Sequence, residues 1–433
     1  MSINLPKFSS KFINHHLSRI NSEFEYFRNL ELDINISRGI PALNQLALSQ
    51  ALLDESLKKS YFNEEGIDCR NYGFHQGLIE LRRLFSPLIG LPPEQIVAHG
   101  NSSLTLMFEC VAQAWQQGMI DSNQPWSQIE GGISFICAVP GYDRHFAICE
   151  YFDIRMISVP MLENGPDIEL IKSLVANDSS IKGMWCVPKY SNPTGIVYSD
   201  KIIETLASMP TAAKDFRLFW DNAYMIHGIA DSNDEIKNIY DVCLNYGNEN
   251  RALVFASTSK MTLPGSGVAF LASSKNNINW WLKGARIRNV GPDKVNQLKQ
   301  LRFFKDIDHI MELMAEHQKI LKPKFDLVDK IFSERLKKFV VISWTKPRGG
   351  YFISLNVIPG TASIIVELAK QLGVIFSTPG SCFPYGLDEN DGQLRIAPSF
   401  PDIESLEFTL QVICSCIEKA SFEYLNQIDS SNS

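Results

Sequence analysis

What most restricts the fold of this chain is a series of short apolar runs that alternate with longer amphipathic ones. "ISFICAV" (Ile133–Val139), "IRMISVPM", "IKGMWCVP", "RLFWD", "ALVFAS" and "GVAFLAS" are each of strand length and mostly apolar. Such runs read as strands buried on both faces, because a half-exposed strand would alternate apolar with polar residues. Between them, "DIELIKSLVAND" and "SDKIIETLASMP" have helical spacing. Strand–helix alternation points to the α/β class with a mostly parallel sheet. After about residue 310 the texture changes. A long amphipathic helix is expected from Ile307 to Leu336, followed by "FVVISWT", "GGYFISLNV", a helix near "SIIVELAKQLG", then "QLRIAPSF" and a last helix. The expected division is a large domain of residues 51–310 and a small α+β domain of residues 311–433, with the N-terminal segment 1–50 packing on the small one. The tail "QIDSSNS" is expected to fray.

In open α/β sheets, ligands bind beyond the carboxyl ends of the strands. The residues that follow each apolar run therefore carry the functional information. After "RLFW" come Asp221 and, three residues on, Tyr224; a helix-capping Asp is the competing reading. After "GMWCVP" comes "KYSNPTG" with Asn192, which also reads as a plain turn. After "QIVAH" come Gly100, Asn101, Ser102 and Ser103 at the start of an apolar helix. That is either a simple N-cap or an anion site, where free N–H groups and the helix dipole coincide. After "FICAVPG" comes Tyr142, and "ALVFA" leads into "STSK", Ser257 to Lys260. A lysine is almost never buried without a partner, so Lys260 lies on a surface turn or does chemistry.

Composition removes several function classes. Net charge is −7 and the pI about 5.7, which disfavours nucleic acid and anionic membranes as partners. No apolar run approaches the ~20 residues of a membrane span, and the start shows no secretory h-region. Nine scattered cysteines without a CxxC suit a reducing cytoplasm better than a disulfide framework. Eight histidines without HExxH give no reason to expect a metal.

Taken together, the strand ends offer an anion cradle, an aromatic ring, an amide, a carboxylate with a tyrosine, and a lysine among hydroxyls. Pyridoxal 5′-phosphate needs all five: a helix start for its phosphate, an aromatic face for its ring, and donors for its phenolic oxygen. It also needs a carboxylate for the pyridine nitrogen and a lysine for the Schiff base.

Order and spacing over nearly the whole chain resemble the fold-type I pyridoxal-phosphate aminotransferases of class I/II. The resemblance rests on "YGFHQGLIELRRLF", "SNPTG", "DNAY", "STSK", "PRGGYF" and "RIAPSF". Longer runs, among them "GNSSLTLM", "VPGYDRHF", "WCVPKYSNPTGIVYSD" and "TKPRGGYFISL", resemble the type Ic bacterial aspartate aminotransferases.

The resemblance implies transamination from L-aspartate to 2-oxoglutarate by a ping-pong route. Other amino donors (aromatic, α-aminoadipate-like or alanine) and a C–S lyase activity stay open. It implies that Lys260 forms the Schiff base and moves the proton, that Asp221 pairs with the pyridine nitrogen, and that Tyr224 and Asn192 bond the phenolic oxygen. Tyr142 would stack on the ring, and Gly100, Asn101, Ser102 and Ser257 would hold the phosphate. Arg395 would fork the substrate α-carboxylate, with Asn192 and a Gly39 backbone contact nearby. Tyr72 would reach the phosphate of a neighbouring subunit, which implies a homodimer with shared active sites.

One departure stands out. The arginine that relatives place after the lysine to grip the phosphate aligns here with Gly267. Lys294 is one substitute, unless it is a solvated helix charge. For the distal carboxylate, Arg286 is a candidate by position, unless it and Arg288 are surface charges at a helix end. Arg38 and Arg144 also remain in play.

Overall fold

A computed structural model describes residues 8–54, 60–230 and 234–431. The first seven residues, part of the start read above for a leader, and the last two of the tail lie outside them. Its central feature is an eight-stranded sheet. The strands are β1 (Ile96–Ala98), β2 (Ser134–Val139), β3 (Arg155–Leu162), β4 (Gly165–Pro166), β5 (Ile181–Cys186), β6 (Arg217–Asp221), β7 (Ala252–Ser257) and β8 (Ala269–Ala272). They lie in the order β1-β8-β7-β6-β5-β2-β3-β4. β8 runs antiparallel to both of its neighbours and β4 antiparallel to β3, while the other pairings are parallel.

The apolar runs are continuous because the sheet is covered on both sides. Along β6, Leu218 and Trp220 enter one core cluster and Phe219 enters the other. Along β7, Val254 and Ala256 face one way, Leu253 and Phe255 the other. This is the period-two alternation of strand side chains with apolar residues required at every position.

The covering helices that matter for the site are few. α1 (Ser10–Arg28) lies in the N-terminal segment; α2 (Ser103–Gln117) follows β1 and α3 (Asp143–Tyr151) follows β2. α4 (Lys275–Arg288) follows β8; α5 (Ile307–Arg335) and α6 (Ile403–Ser431) come late. A third core cluster joins Ile13, Ile20 and Phe24 of α1 to residues of α5, α6 and an antiparallel three-stranded sheet (Ser343–Trp344, Ile353–Asn356, Gln393–Ile396). Ile34–Asn35 adds a short parallel pairing with Val374–Ile375. α5 belongs to two cores: Ile310, Leu313 and Met314 pack on the sheet cluster, and Leu321, Phe325 and Val328 on the third.

One expectation is corrected here. The tail was expected to fray from Gln427, but α6 continues to Ser431.

Candidate active site

β1, β2, β5, β6 and β7 are mutually parallel, so their carboxyl ends open on one edge of the sheet. A cavity of 510 Å³ lies there. Lys260, Asp221, Tyr224, Asn192, Tyr142, Ser102, Ser257, Gly39 and Arg395 all line it, although they come from segments up to hundreds of residues apart.

Asp221 is the last residue of β6 and is 3% exposed. A turn follows it, not a helix, so the capping alternative fails. One carboxylate oxygen accepts from His145 Nε2 at 3.1 Å; the other is buried with no partner among the described residues. His145 in turn stacks on Trp185, with ring centroids 4.5 Å apart. The sequence reading missed this histidine. Its signal was its place three residues after Tyr142, on the inward face of α3.

Lys260 sits on a turn just beyond β7, closed by Met261 N–H donating to Thr258 O at 2.9 Å. Its ammonium lies 5.0 Å from the centroid of the Tyr224 ring. Burial pushes the amine's pKa down, and the Asp221 charge opposes that. Distant segments hold the turn from behind. Tyr351 hydroxyl donates to Lys260 O at 3.3 Å. His317 Nε2 contacts Met261 O at 3.0 Å and its Nδ1 lies 2.8 Å from Gln45 Nε2. Burial pushes His317 down to about 4, so a neutral ring bridges the two. Tyr142 is pushed up to about 12, first by burial and then by the Asp221 charge, and remains a neutral phenol.

Arg395 is 7% exposed. Its Nη1 donates to Asp143 at 2.9 Å, its Nη2 to Ser37 O at 3.5 Å, and its guanidinium carbon lies 5.0 Å from the Phe352 ring centroid. Gly39 passes against that ring: a Cβ there would stand 2.5 Å from Phe352 Cζ.

Ser102 and Ser103 at the start of α2, Ser257 at the end of β7 and Ser259 just beyond it also line the cavity. Ser103 belongs to the helix start read from sequence as an N-cap or an anion site, whereas Ser259 was given no role of its own there. Gly100 and Asn101 do not line the cavity. The Gly100 carbonyl accepts from Ala269 N at 3.0 Å, and the Asn101 amide donates to Gly265 O at 3.2 Å, so the Asn101 side chain is committed to a neighbouring loop.

The Gly267 departure has a steric cause. A Cβ at this position would meet Ser259 Oγ at 2.5 Å, Cα at 2.9 Å and N at 3.0 Å. Ser259 Oγ itself donates to Asn101 O at 2.7 Å. An arginine has no room to leave the chain there. Gly267→Ala is therefore expected to destabilise the protein by about 1–3 kcal/mol, the usual cost of overpacking, read as a lowered denaturant midpoint.

Lys294 matches neither of its two readings. It is 2% exposed and donates to Asn71 O at 2.6 Å and Gly73 O at 3.1 Å, so it pins the loop that carries Tyr72. Tyr72 is 79% exposed and lies off the cavity. Arg286 is exposed in the last turn of α4 and is likewise not brought to the cavity of its own chain. Arg288 pairs with Glu109 at 2.8 Å and lies against Trp281. Arg38 and Arg144 do line the cavity.

The donor set fits pyridoxal phosphate. A buried carboxylate oxygen lacking a partner among the described residues suits a ring N–H, hydroxyls at a helix start suit a phosphate, and the Lys260 amine lines the same cavity. Fold and site together define the class: a fold-type I pyridoxal-phosphate-dependent aminotransferase.

Comparison with known proteins narrows this. Residues 8–429 match the family model described as aspartate amino-transferase. A Mycolicibacterium smegmatis protein described as an aminotransferase, with no substrate stated, is 47% identical over 397 residues, covering 91% of this chain and 92% of that one. The aspartate aminotransferase of Corynebacterium glutamicum is 41% identical over 423 residues, 98% of each chain. The crystal structure of an aspartate transaminase from C. glutamicum superposes with a TM-score of 0.94 at 41% identity, over 98% of this chain and all of that one. This chain belongs to the aspartate amino-transferase family, and is closely related to bacterial aspartate aminotransferases. Among the described residues, no helix is long and apolar enough to cross a membrane.

Proposed function

We propose that this protein transfers the amino group of L-aspartate to 2-oxoglutarate, giving oxaloacetate and L-glutamate, as a cytoplasmic homodimer. The observation that carries the reaction class is one cavity lined by Lys260, Asp221 and Arg395. Aspartate as donor is supported by the 41% identity to the C. glutamicum aspartate aminotransferase over 98% of both chains.

Bound pyridoxal phosphate supplies the electron sink and carries the amino group between the two half-reactions. The chain's residues do the rest. Lys260 anchors the cofactor through Nζ and, once released, moves the proton at the substrate Cα. Asp221, held by His145, keeps a negative charge beside the ring nitrogen. Asn192 and Tyr224 donate toward the phenolic oxygen, and Tyr142 covers the ring. Ser102 and Ser257, with the first N–H groups of α2, receive the phosphate, and Gly100 and Asn101 shape the entry to that helix. Arg395 takes the α-carboxylate as a fork, a task suited to a planar guanidinium, beside the backbone at Gly39. Tyr72 serves the neighbouring subunit. Exposed Tyr72, Phe74, Ile287 and Val290 support that reading, since their two segments are joined by Gly73 N–H donating to Val290 O. In this scheme residues 51–310 hold the cofactor, and residues 1–50 and 311–433 cover the substrate side.

Mixing experiments test the proposal. Aspartate should bleach the visible band of the cofactor-loaded protein, and 2-oxoglutarate should restore it as oxaloacetate and glutamate accumulate. Bleaching by an aromatic amino acid, α-aminoadipate or alanine, with none by aspartate, would reassign the donor.

A further inference from the structure

Three polar side chains near the Lys260 turn are buried without lining the cavity: Gln45 and Tyr351 are 0% exposed and His317 1%. Burying polar groups is costly unless each finds a partner, and here each does. Gln45, on the short helix Leu43–Ala47, accepts at Oε1 from Ala42 N–H at 3.0 Å. Its amide N–H groups are left to donate to His317 Nδ1 at 2.8 Å and to the Tyr351 hydroxyl at 3.3 Å. Those two pass the contact on. His317 Nε2 donates to Met261 O at 3.0 Å, and the Tyr351 hydroxyl to Lys260 O at 3.3 Å. The partners fix the imidazole tautomer, since an amide N–H cannot accept and a carbonyl cannot donate. One amide of the N-terminal segment thus grips two consecutive carbonyls of the lysine turn, through an imidazole and a phenol.

The same segments hold the surroundings of Arg395. The chain ahead of Gln45 carries Ser37, whose carbonyl accepts from Arg395 Nη2, and Gly39 at the cavity wall. Tyr351 precedes Phe352, whose ring lies against both Gly39 and the Arg395 guanidinium. The group assigned to the α-carboxylate and the turn that carries the proton-transfer amine are therefore fastened to a common frame. We infer that Gln45 and His317 are positioning residues, which set where Lys260 Nζ stands relative to a substrate Cα held by Arg395. They act through the backbone of the turn, since neither reaches the cavity. The inference rests on the transaminase reading above and names what aligns its proton transfer. A fully satisfied buried network suits this task because it holds one arrangement rigidly.

The test uses cofactor-loaded protein, with rates expressed per bound cofactor and the isotope effect measured with aspartate deuterated at Cα. His317→Ala and Gln45→Leu should each lower kcat about 10- to 100-fold, the scale of misplacing a reacting group by about 1 Å. KM should stay within about 3-fold, because Arg395 still takes the carboxylate. The isotope effect should be kept or raised, since proton transfer is the step that slows. The double variant should be no slower than the slower single one, as for residues acting through one path. His317→Gln, which keeps a donor and an acceptor, should recover part of kcat. A role in stability alone would lower the melting temperature and leave kcat per bound cofactor unchanged, and that result overturns the inference. So does a slowed turnover whose isotope effect shrinks, which would place the defect at another step, or losses that add in the double variant. If His317→Ala fails to load cofactor, Gln45→Leu and His317→Gln decide by the same measurements. In each of those cases conversion of aspartate by wild type leaves the proposed reaction standing. A wild type that does not convert aspartate removes both.

Discussion

Replacing Lys260 by alanine is expected to lower transamination by more than about 10³-fold, the scale of losing a positioned proton-transfer group that also anchors the cofactor. The turn that carries Lys260 is fastened by the backbone carbonyls of Thr258, Lys260 and Met261, none of which needs the amine. The variant should therefore fold. Removing a half-buried amine whose pKa burial already depresses also removes a desolvation cost. The checks are rapid-quench turnover with aspartate, and retention of cofactor after gel filtration with and without borohydride. Wild-type turnover in Lys260→Ala would remove the central assignment.

Asp221→Ala should cost about 10²–10³-fold, the range seen when one preorganised electrostatic group is deleted. Two consequences distinguish this from simple loss of fold. His145 would keep its stack on Trp185 but lose its carboxylate, and Asp221→Glu should recover part of the activity. The cofactor's absorbance should also become more sensitive to pH, because the ring nitrogen loses the charge that holds its proton. Steady-state rates and a spectral titration measure both. An alanine variant with an unaltered titration would mean that Asp221 does not face the ring.

Much of this site was legible at the strand ends. Asp221, Asn192, Tyr142, Ser257 and Lys260 each stand at the end of an apolar run or within a few residues of it, and parallel strands bring such ends to one edge. The partners of the Asn101 amide and the Lys294 ammonium were not legible in the sequence, for a common reason. An amide or ammonium near a site can be consumed by a backbone carbonyl from another loop, here Gly265 O for one and Asn71 O and Gly73 O for the other. Sequence shows the donor and hides the acceptor. The helical tail to Ser431 was misread because "QIDSSNS" is polar, yet it extends a long helix whose buried residues run to Leu425.

The sequence by itself determined the α/β alternation, the edge where the chemistry gathers, and the residue types along it. Those are local properties: a strand buried on both faces must be apolar, and the residue that follows it is free to be polar. Only the tertiary structure decided the pairings. His145 behind Asp221, Asp143 on Arg395, Ser259 in the space beside Gly267, and Arg38 facing the same cavity as Arg144 are meetings across space. Except for Ser259 and Gly267, the partners lie 76 or more residues apart in the chain. They follow from how sheet, loops and small sheet close on one cavity, and no spacing along the chain encodes which polar group will find which partner.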